Sequence, residues 1–549
     1  MHSSFNTRIS NSNQSMGNNA NYQESLTSLI QVNDGTRSFI PRTVDCHDHN
    51  CPYGENDETR IDITHSDHTI SNLSDGFLTY KVRVYLKLFG VDRSFSDPDR
   101  IFKLFVGFKD SNQILDKLQI YCRGKNTGYN QNECLREGFA YSAIKPKQEK
   151  RTKKYIHSPY ENVQAYSPSV CGAYVNIADL CDGAEHPVEF EVNLPFDDIL
   201  ALQSFDHFCN EVIGDIELRY YVKHWGLVWC EVDPNVVKEY KEFMEGEDLD
   251  LTFSNNVSAT YAHQFTQIDN SADITYKIEQ RKEQNQEGEI LSTSTKAIKG
   301  KATLMCTRME VLMNKSNMFG HGVTADSLAK IRSIISQGYV MPAQELEYNA
   351  FPIAATASGI QSNINVPLNN VTCMTILFPK YNNDRTIFEN PCYDNLQLIV
   401  DGKNFPDEVL NSTSARFLQY QLIASDLHQG IECTKEFEDS ITMAKNDGSG
   451  VRYANTLSDG TSFMWNVQTE RNGAGYCYDG LDTDGKNIQI QIRGQPIFTG
   501  LNDTYYNVNG DGTVHPPPPQ IWFCKDTHFL VSDQGMTYVN NRSPDGSQA

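Results

Sequence analysis

The sequence predicts an all-β protein made of two tandem antiparallel sandwiches. Three observations predict it. Many short segments alternate apolar and polar residues with period two, which marks half-buried strands. Tyr and Phe number 27 each while Leu-rich helical stretches are few, a balance that favours pleated surfaces. One strand-and-turn pattern also occurs twice, far apart in the chain.

The N-terminal stretch to about residue 45 is rich in Asn, Ser and Gln with little periodicity. It reads as an arm that orders only against a partner. Strand character begins at Ile61-Asp-Ile63. The clearest strand opens at Phe77: Tyr80, Val82, Val84, Leu86 and Leu88 point one way, Lys81, Arg83, Tyr85 and Lys87 the other. Phe102 to Phe108, the short apolar run from Val170, Val188 to Leu194 and Ile216 to Val222 extend the series. Pro195 starts a short helical piece with Asp197 and Asp198 in its first turn, where carboxylates suit the positive helix end. Alternating strands joined by turn-rich links indicate an antiparallel sandwich rather than a βαβ sheet.

Residues 233–300 are charged and polar, a connector carrying a helix near Lys238 and a hairpin. The predicted division is therefore an arm over 1–59, a first sandwich over 60–232, the connector, and a second sandwich over 301–549. In the second part Thr303 to Met313 reads as a strand, and Thr324 caps a helix that Gln337-Gly338 ends. Val371 to Phe378 and Ile488 to Ile492 read as strands, and Phe529 to Val539 as a closing hairpin.

The repeated pattern is Asp116-Lys-Leu-Gln-Ile-Tyr-Cys-Arg-Gly-Lys-Asn126, matched by Asp394-Asn-Leu-Gln-Leu-Ile-Val-Asp-Gly-Lys-Asn404. The register holds outward without a gap, Asn112 on Asn390 and Phe139 on Phe417. Each copy is a half-buried strand that Gly-Lys-Asn ends in a turn. Because the surrounding strands also correspond, the repeat indicates a duplicated unit.

The formal charge of −23 argues against a surface that wraps nucleic-acid phosphates, which needs clustered Lys and Arg. The one basic run, Lys145 to Lys154, reads as a solvated loop. The Met1-His-Ser-Ser start lacks a charged region followed by an apolar core, so no signal peptide is expected, and no apolar run approaches the roughly 20 residues of a bilayer span. The 14 cysteines are then expected to be reduced and mostly buried, in a cytosolic or nuclear setting.

Candidate chemistry is sparse. Cys46, His47, His49 and Cys51 are soft metal ligands close together, but zinc needs a tetrahedral set and no second Cys/His pair follows at finger spacing, so a loop is the reading. Asp479, Asp482 and Asp484 stand at calcium-like spacing near Gly485, yet the position for a bidentate Glu holds Gln491; a turn is expected. Gly124-Lys125-Asn126 and Gly402-Lys403-Asn404 lack the upstream Gly and the following Ser/Thr of a phosphate loop. No hydrolase, metalloprotease or kinase motif is present, so no catalytic, cofactor or metal residue is assigned and no enzyme is expected. Pro516 to Pro519 reads as a stiff spacer.

The chain resembles double jelly-roll major capsid proteins, most closely those of Polinton/Maverick elements and adintoviruses. Phe105-Val-Gly-Phe-Lys-Asp-Ser-Asn-Gln-Ile-Leu115, Leu118 to Gln131, Val170-Cys-Gly-Ala-Tyr174, Phe196 to Phe205 and Ile213 to Leu218 carry the resemblance in the first half. Asn395 to Gly402 and Phe523 to Val539 carry it more loosely in the second. The resemblance implies two eight-stranded jelly rolls side by side, three copies forming a pseudo-hexagonal capsomer, and capsomers tiling an icosahedral shell in a virion assembled in host cytoplasm or nucleus. It implies as partners the chain itself, neighbouring capsomers and a penton or minor capsid protein, with no cofactor and no sequence-specific nucleic acid. The uneven loops 141–169, 235–300 and 440–480 would supply outer contacts.

The alternative is a jelly-roll carbohydrate-binding or glycoside-cleaving protein. It would need a groove of exposed aromatics with a carboxylate pair, usually in a secreted chain. A minor capsid role fits less well, since it usually needs one jelly roll.

Overall fold

Period-two alternation becomes strand wherever it is strongest. We describe a computed structural model at residues 42–45, 52–64, 69–91, 103–132, 134, 171–180, 183–202, 205, 208–232, 266–284, 290–350, 359–364, 368–379, 386, 388, 393, 395–424, 443–444, 452–453, 464–469, 480–483, 486–493 and 518–539. The first half holds β1 (Arg42–Asp45), β2 (Tyr53–Gly54), β3 (Thr59–Ile63), β4 (Thr69–Phe89), β5 (Lys103–Phe108), β6 (Leu115–Cys122), β7 (Lys125–Gln131) and β8 (Cys171–Asn176). It continues with β9 (His186–Pro195), helix α1 (Asn210–Ile213), β10 (Ile216–Val222), β11 (Leu227–Val232), β12 (Thr266–Gln267), β13 (Ser271–Gln284) and β14 (Ile290–Gly322).

After helix α2 (Ala325–Ile335) come β15 (Tyr339–Ala350), β16 (Gly359–Ile364), β17 (Val371–Leu377), β18 (Asn395–Val400), β19 (Lys403–Leu410) and helix α3 (Thr413–Ala424). The chain ends through β20 (Met443–Ala444), β21 (Arg452–Tyr453), β22 (Met464–Gln468), β23 (Ile488–Arg493), β24 (Gln520–Ser532) and β25 (Gly535–Val539).

The second half is a jelly roll by topology. One sheet runs β15-β24-β17-β22, with β25 added to β24, and the facing sheet runs β16-β23-β18-β19. Apart from the small β20–β21 pair, the eight strands in chain order thus alternate between two antiparallel sheets as 1-8-3-6 and 2-7-4-5, the double-sheet roll. The first half repeats both sheets as β3-β10-β6-β7 and β12-β11-β5-β8. It departs at one place: the strand flanking β11, where β15 flanks β24, is the short β12 from the connector rather than an early strand. The protein is therefore all-β, two tandem antiparallel jelly-roll sandwiches.

A further sheet, β1-β14-β4-β9, joins the first half, with β2 and β13 also on β14. Tyr80, Val82, Val84, Leu86 and Leu88 of β4 are all buried, as the alternation requires. The polar face of the same strand is laced with ion pairs, Arg83 to Glu189 at 2.5 Å and Lys81 to Glu189 at 3.2 Å. The hydrogen bond from Arg83 holds the Glu189 carboxyl below its ordinary range.

Several elements differ from the sequence reading. Thr303 to Met313 is a strand, but within β14 it pairs with β4, from Thr303 opposite Phe89 to Gly322 opposite Thr69. A strand's own alternation says which face is buried and not which partner it finds. The piece after Pro195 is two short 3-10 turns, Phe196–Asp198 and Leu200–Leu202, and both Asp197 and Asp198 are buried. The connector hairpin exists as β13 on β14; the helix expected near Lys238 lies outside the described residues. Thr324 caps α2 by accepting from the Ser327 N–H, and Gly338 leaves it at φ +79°. Helix α3 has no counterpart in the sequence reading; the Ser412 hydroxyl accepts from the Ala415 N–H at its start.

The core follows this layering. The second sandwich closes over Met374, Ile376, Leu396, Leu398, Ile490, Ile521 and Phe523. The opposite face of its β17-containing sheet packs Cys373, Leu377, Trp522 and Cys524 against Leu200 of the first half. Burial on both faces explains why β17 reads as an unbroken run. All eight cysteines among the described residues are buried free thiols. Burial pushes Cys122 and Cys209 up to about 11 and Cys306 to about 12, which keeps them protonated.

Candidate functional site

The duplicated sequence forms the same hairpin twice. In the first half β6 pairs with β7, and in the second β18 pairs with β19. The turn is Arg123-Gly124 in one and Asp401-Gly402 in the other, with φ of +52° and +71° against +50° and +77°. Two consecutive positive-φ residues are what a two-residue hairpin needs to match strand twist. Lys125-Asn126 and Lys403-Asn404 are already strand, so Gly-Lys-Asn straddles the turn's end rather than making the turn.

The surroundings match as well. Cys122 lies opposite Ile216 and Val400 opposite Ile488 on the next strand inward. The Arg123 N–H donates to the carbonyl of Asp215 at 3.1 Å, and the Asp401 N–H to that of Asn487 at 3.0 Å. Arg123 adds contacts that Asp401 cannot, its Nε and Nη2 donating to the carbonyls of Ile213 and Val212 at 2.7 and 2.6 Å. These are C-terminal carbonyls of α1, which lack helical partners and attract a cation.

The first hairpin is covered by the second sandwich. Tyr129 of β7, 1% exposed, sets its ring 5.2 Å from Tyr538 of β25 and 6.3 Å from Phe529 of β24. Phe205 stacks on Phe208 and meets Phe529 edge-on at 5.5 Å. Tyr339, Met341, Phe529, Val531 and Met536 thereby join the core of the first half. A polar network stiffens this cover: the buried Lys525 ammonium lies 2.8 Å from Glu347 and 3.5 Å from Glu345, and the Tyr538 hydroxyl donates to Glu345 at 2.5 Å. Two carboxylates around one buried ammonium, one of them held in turn by a tyrosine hydroxyl, are what such a charge requires.

The second hairpin has no such cover among the described residues. β19 is the outer strand of its sheet, and Asp407, Glu408 and Val409 are exposed. Counted from the turn glycine, Asp407 stands where Tyr129 stands in the first copy. The interface residues Tyr129, Phe529 and Tyr538 carry no signature in the sequence beyond alternation, because the partner of each lies hundreds of residues away.

The other candidate residues are not brought together. Cys46, His47, His49 and Cys51 lie outside the described residues, as do Asp479 and Asp484. Asp482 sits in a turn whose carbonyl accepts from the Lys486 ammonium, so positive charge already stands beside it. No cluster of three or more His, Cys, Asp or Glu side chains that could hold a metal occurs among the described residues. No helix among them is long and apolar enough to cross a membrane. Of the described aromatic side chains, only Phe89 on β4 and Trp225 beside β11 are exposed, so they form no aromatic groove.

No family model and no curated protein sequence matches the chain. Solved structures do match it along nearly its whole length. The chain is similar to the Sputnik virophage structure determined by electron cryomicroscopy, with 9% identity over 93% of this chain and 89% of that one, at a TM-score of 0.46. It is similar to the mavirus major capsid protein, with 9% identity over 92% and 91% and a TM-score of 0.44. It is similar also to the Faustovirus major capsid protein, with 7% identity over 95% and 99% and a TM-score of 0.41.

Proposed function

We propose that the chain is a structural protein, the major subunit of an icosahedral capsid of the Polinton/Maverick and adintovirus type, acting as a pseudo-hexagonal homotrimer. One observation carries the reading: a single chain holds two sandwiches whose sheets correspond strand for strand except at β12, with the same turn, packed against each other. Two equivalent lobes per chain let three chains present six, and heterologous contacts that return on themselves close a ring.

Its partners are then neighbouring capsomers and a penton or minor capsid protein, and its place is the virion, assembled in host cytoplasm or nucleus. The charge of −23 fits a shell that leaves genome neutralisation to other proteins. In this reading 1–59 is the arm, 60–232 and 301–549 carry the two jelly rolls, and 233–300 joins them, with β14 crossing the last boundary. No residue is assigned to catalysis, cofactor or metal. Sizing chromatography with mass measurement tests it: a stable species near three times 62.1 kDa is expected, whereas a monomer that binds glycans would replace it with the carbohydrate reading.

A further inference from the structure

Strands β17 and β24 bring two cysteines face to face. Cys373 of β17 lies directly opposite Cys524 of β24. Opposed residues of an antiparallel pair point to the same side of the sheet, with Cα atoms roughly 4.5 to 5.5 Å apart. A disulfide accepts Cα separations of about 4.4 to 6.8 Å, so this pairing already lies within its reach. The two thiols share a hydrogen bond, and both belong to the cluster that packs against Leu200 of the first half. A buried cysteine is ordinary as a small apolar residue; what sets this pair apart is its register. Elsewhere Cys122 faces Ile216, Cys171 faces Phe108, Cys230 faces Phe105 and Cys306 faces Leu86.

Burial decides how the pair can react. Cys373 is 2% exposed and Cys524 is wholly buried. The hydrogen bond with Cys373, and burial after it, hold the Cys524 thiol well above its ordinary range. Large electrophiles are therefore kept out, and a thiol here reacts with what is small enough to enter or with its neighbour.

We propose that Cys373 and Cys524 are a redox couple within one chain, a dithiol under reducing conditions and a cross-strand disulfide once hydrogen peroxide reaches them. Peroxide oxidises one thiol to a sulfenic acid and leaves as water. The second sulfur then attacks the first, forming the S–S bond and expelling another water, so two thiols and one peroxide give one disulfide and two waters. The bridge closes the whole segment from Cys373 to Cys524 into a loop, which restricts the unfolded chain. Its place gives it a consequence for both halves. β24 lines the second core through Ile521 and Phe523 and the first through Phe529 and Val531. Tying β24 to β17 fixes the strand that the two sandwiches share. A reducing cell interior keeps the couple open, and an oxidising exterior closes it. The couple depends on the fold alone and not on assembly.

The test exposes the full-length chain, purified in reductant, to hydrogen peroxide with and without urea below its unfolding transition. The remaining thiols are alkylated in denaturant and the peptides mapped by mass spectrometry. A Cys373–Cys524 linked peptide is expected, at a yield independent of protein concentration and lost on adding dithiothreitol. The thermal midpoint should rise by a few degrees on oxidation, and Cys373→Ala should abolish the rise. Should that variant misfold, the peptide map of the wild type decides alone. Both thiols recovered free, each carried separately to a sulfinic acid, or bridged to other cysteines instead would overturn the proposal.

Discussion

Arg123 and Asp401 hold the same position of the same turn in the two sandwiches. Both adopt positive φ, +52° and +50°, and each donates its N–H to the residue just ahead of the neighbouring strand, Asp215 at 3.1 Å and Asn487 at 3.0 Å. The glycines that follow have φ of +71° and +77°, and a Cβ added to either would meet nothing within 4 Å. Gly124→Ala and Gly402→Ala should therefore cost the backbone term alone, about 1 to 2 kcal/mol each. Urea denaturation of both variants measures it. A large loss at one glycine and none at the other would break the equivalence.

The two turns differ in what their side chains do. Arg123→Ala removes two charged hydrogen bonds to the end of α1 and should lower stability by about 1 to 2 kcal/mol beyond any backbone effect. Hydrogen exchange at the amides of Asn210–Ile213 should quicken in step. Unchanged exchange there would mean that α1 is held by its buried Val212 and Ile213 alone.

Tyr129 joins the sandwiches. Tyr129→Ala empties a site packed by Tyr538 and Phe529 and should cost about 3 to 5 kcal/mol, the range for large aromatics cut from a core. Because that core spans both halves, calorimetry should also show one thermal transition separating into two. A small loss with a single sharp transition would place the connection between the halves elsewhere.

His528 gives the fold a pH dependence. It is buried on β24, with Pro342 and Val539 opposite it on the neighbouring strands. Burial pushes its imidazole down from 6.5 to about 4. Below pH 6.5 the unfolded chain takes up a proton that the folded chain refuses until about pH 4. Stability from this group is thus intact above 6.5, falls between 6.5 and 4, and levels off below, by about 3 kcal/mol in all. Comparing the wild type with His528→Gln at neutral pH and at about pH 4.5 isolates this contribution from the carboxylates. Equal acid losses in the two proteins would refute it.

Much of this fold was legible because alternation survives in single strands. The stretch Tyr80 to Leu88 declares its buried face residue by residue, and the glycine after Arg123 and Asp401 declares the turn. Partner choice was not legible. Nothing local to Thr303 says that it pairs with Phe89, since β14 alternates as well against one neighbour as another. Helix α3 was readable in principle from Ser412 ahead of a Gly-free, Pro-free run, yet its first turn overlaps the end of a repeat that reads as strand and turn. A second mark of duplication shows only once the strands are matched: Val228-Trp229 on β11 and Ile521-Trp522 on β24, both tryptophans buried, on the corresponding strands of the two sandwiches. The contact between the sandwiches was invisible for the plainest reason, that Tyr129 and Tyr538 meet only in three dimensions.

The central claim is that the two sandwiches act as equivalent lobes of one ring. Electron microscopy of the purified full-length protein tests it most directly, by class averages viewed down the particle axis. The expected result is a six-lobed ring with threefold symmetry, its lobes alternating in outline between first and second sandwich. Isolated two-lobed particles at concentrations where the protein is folded would contradict it.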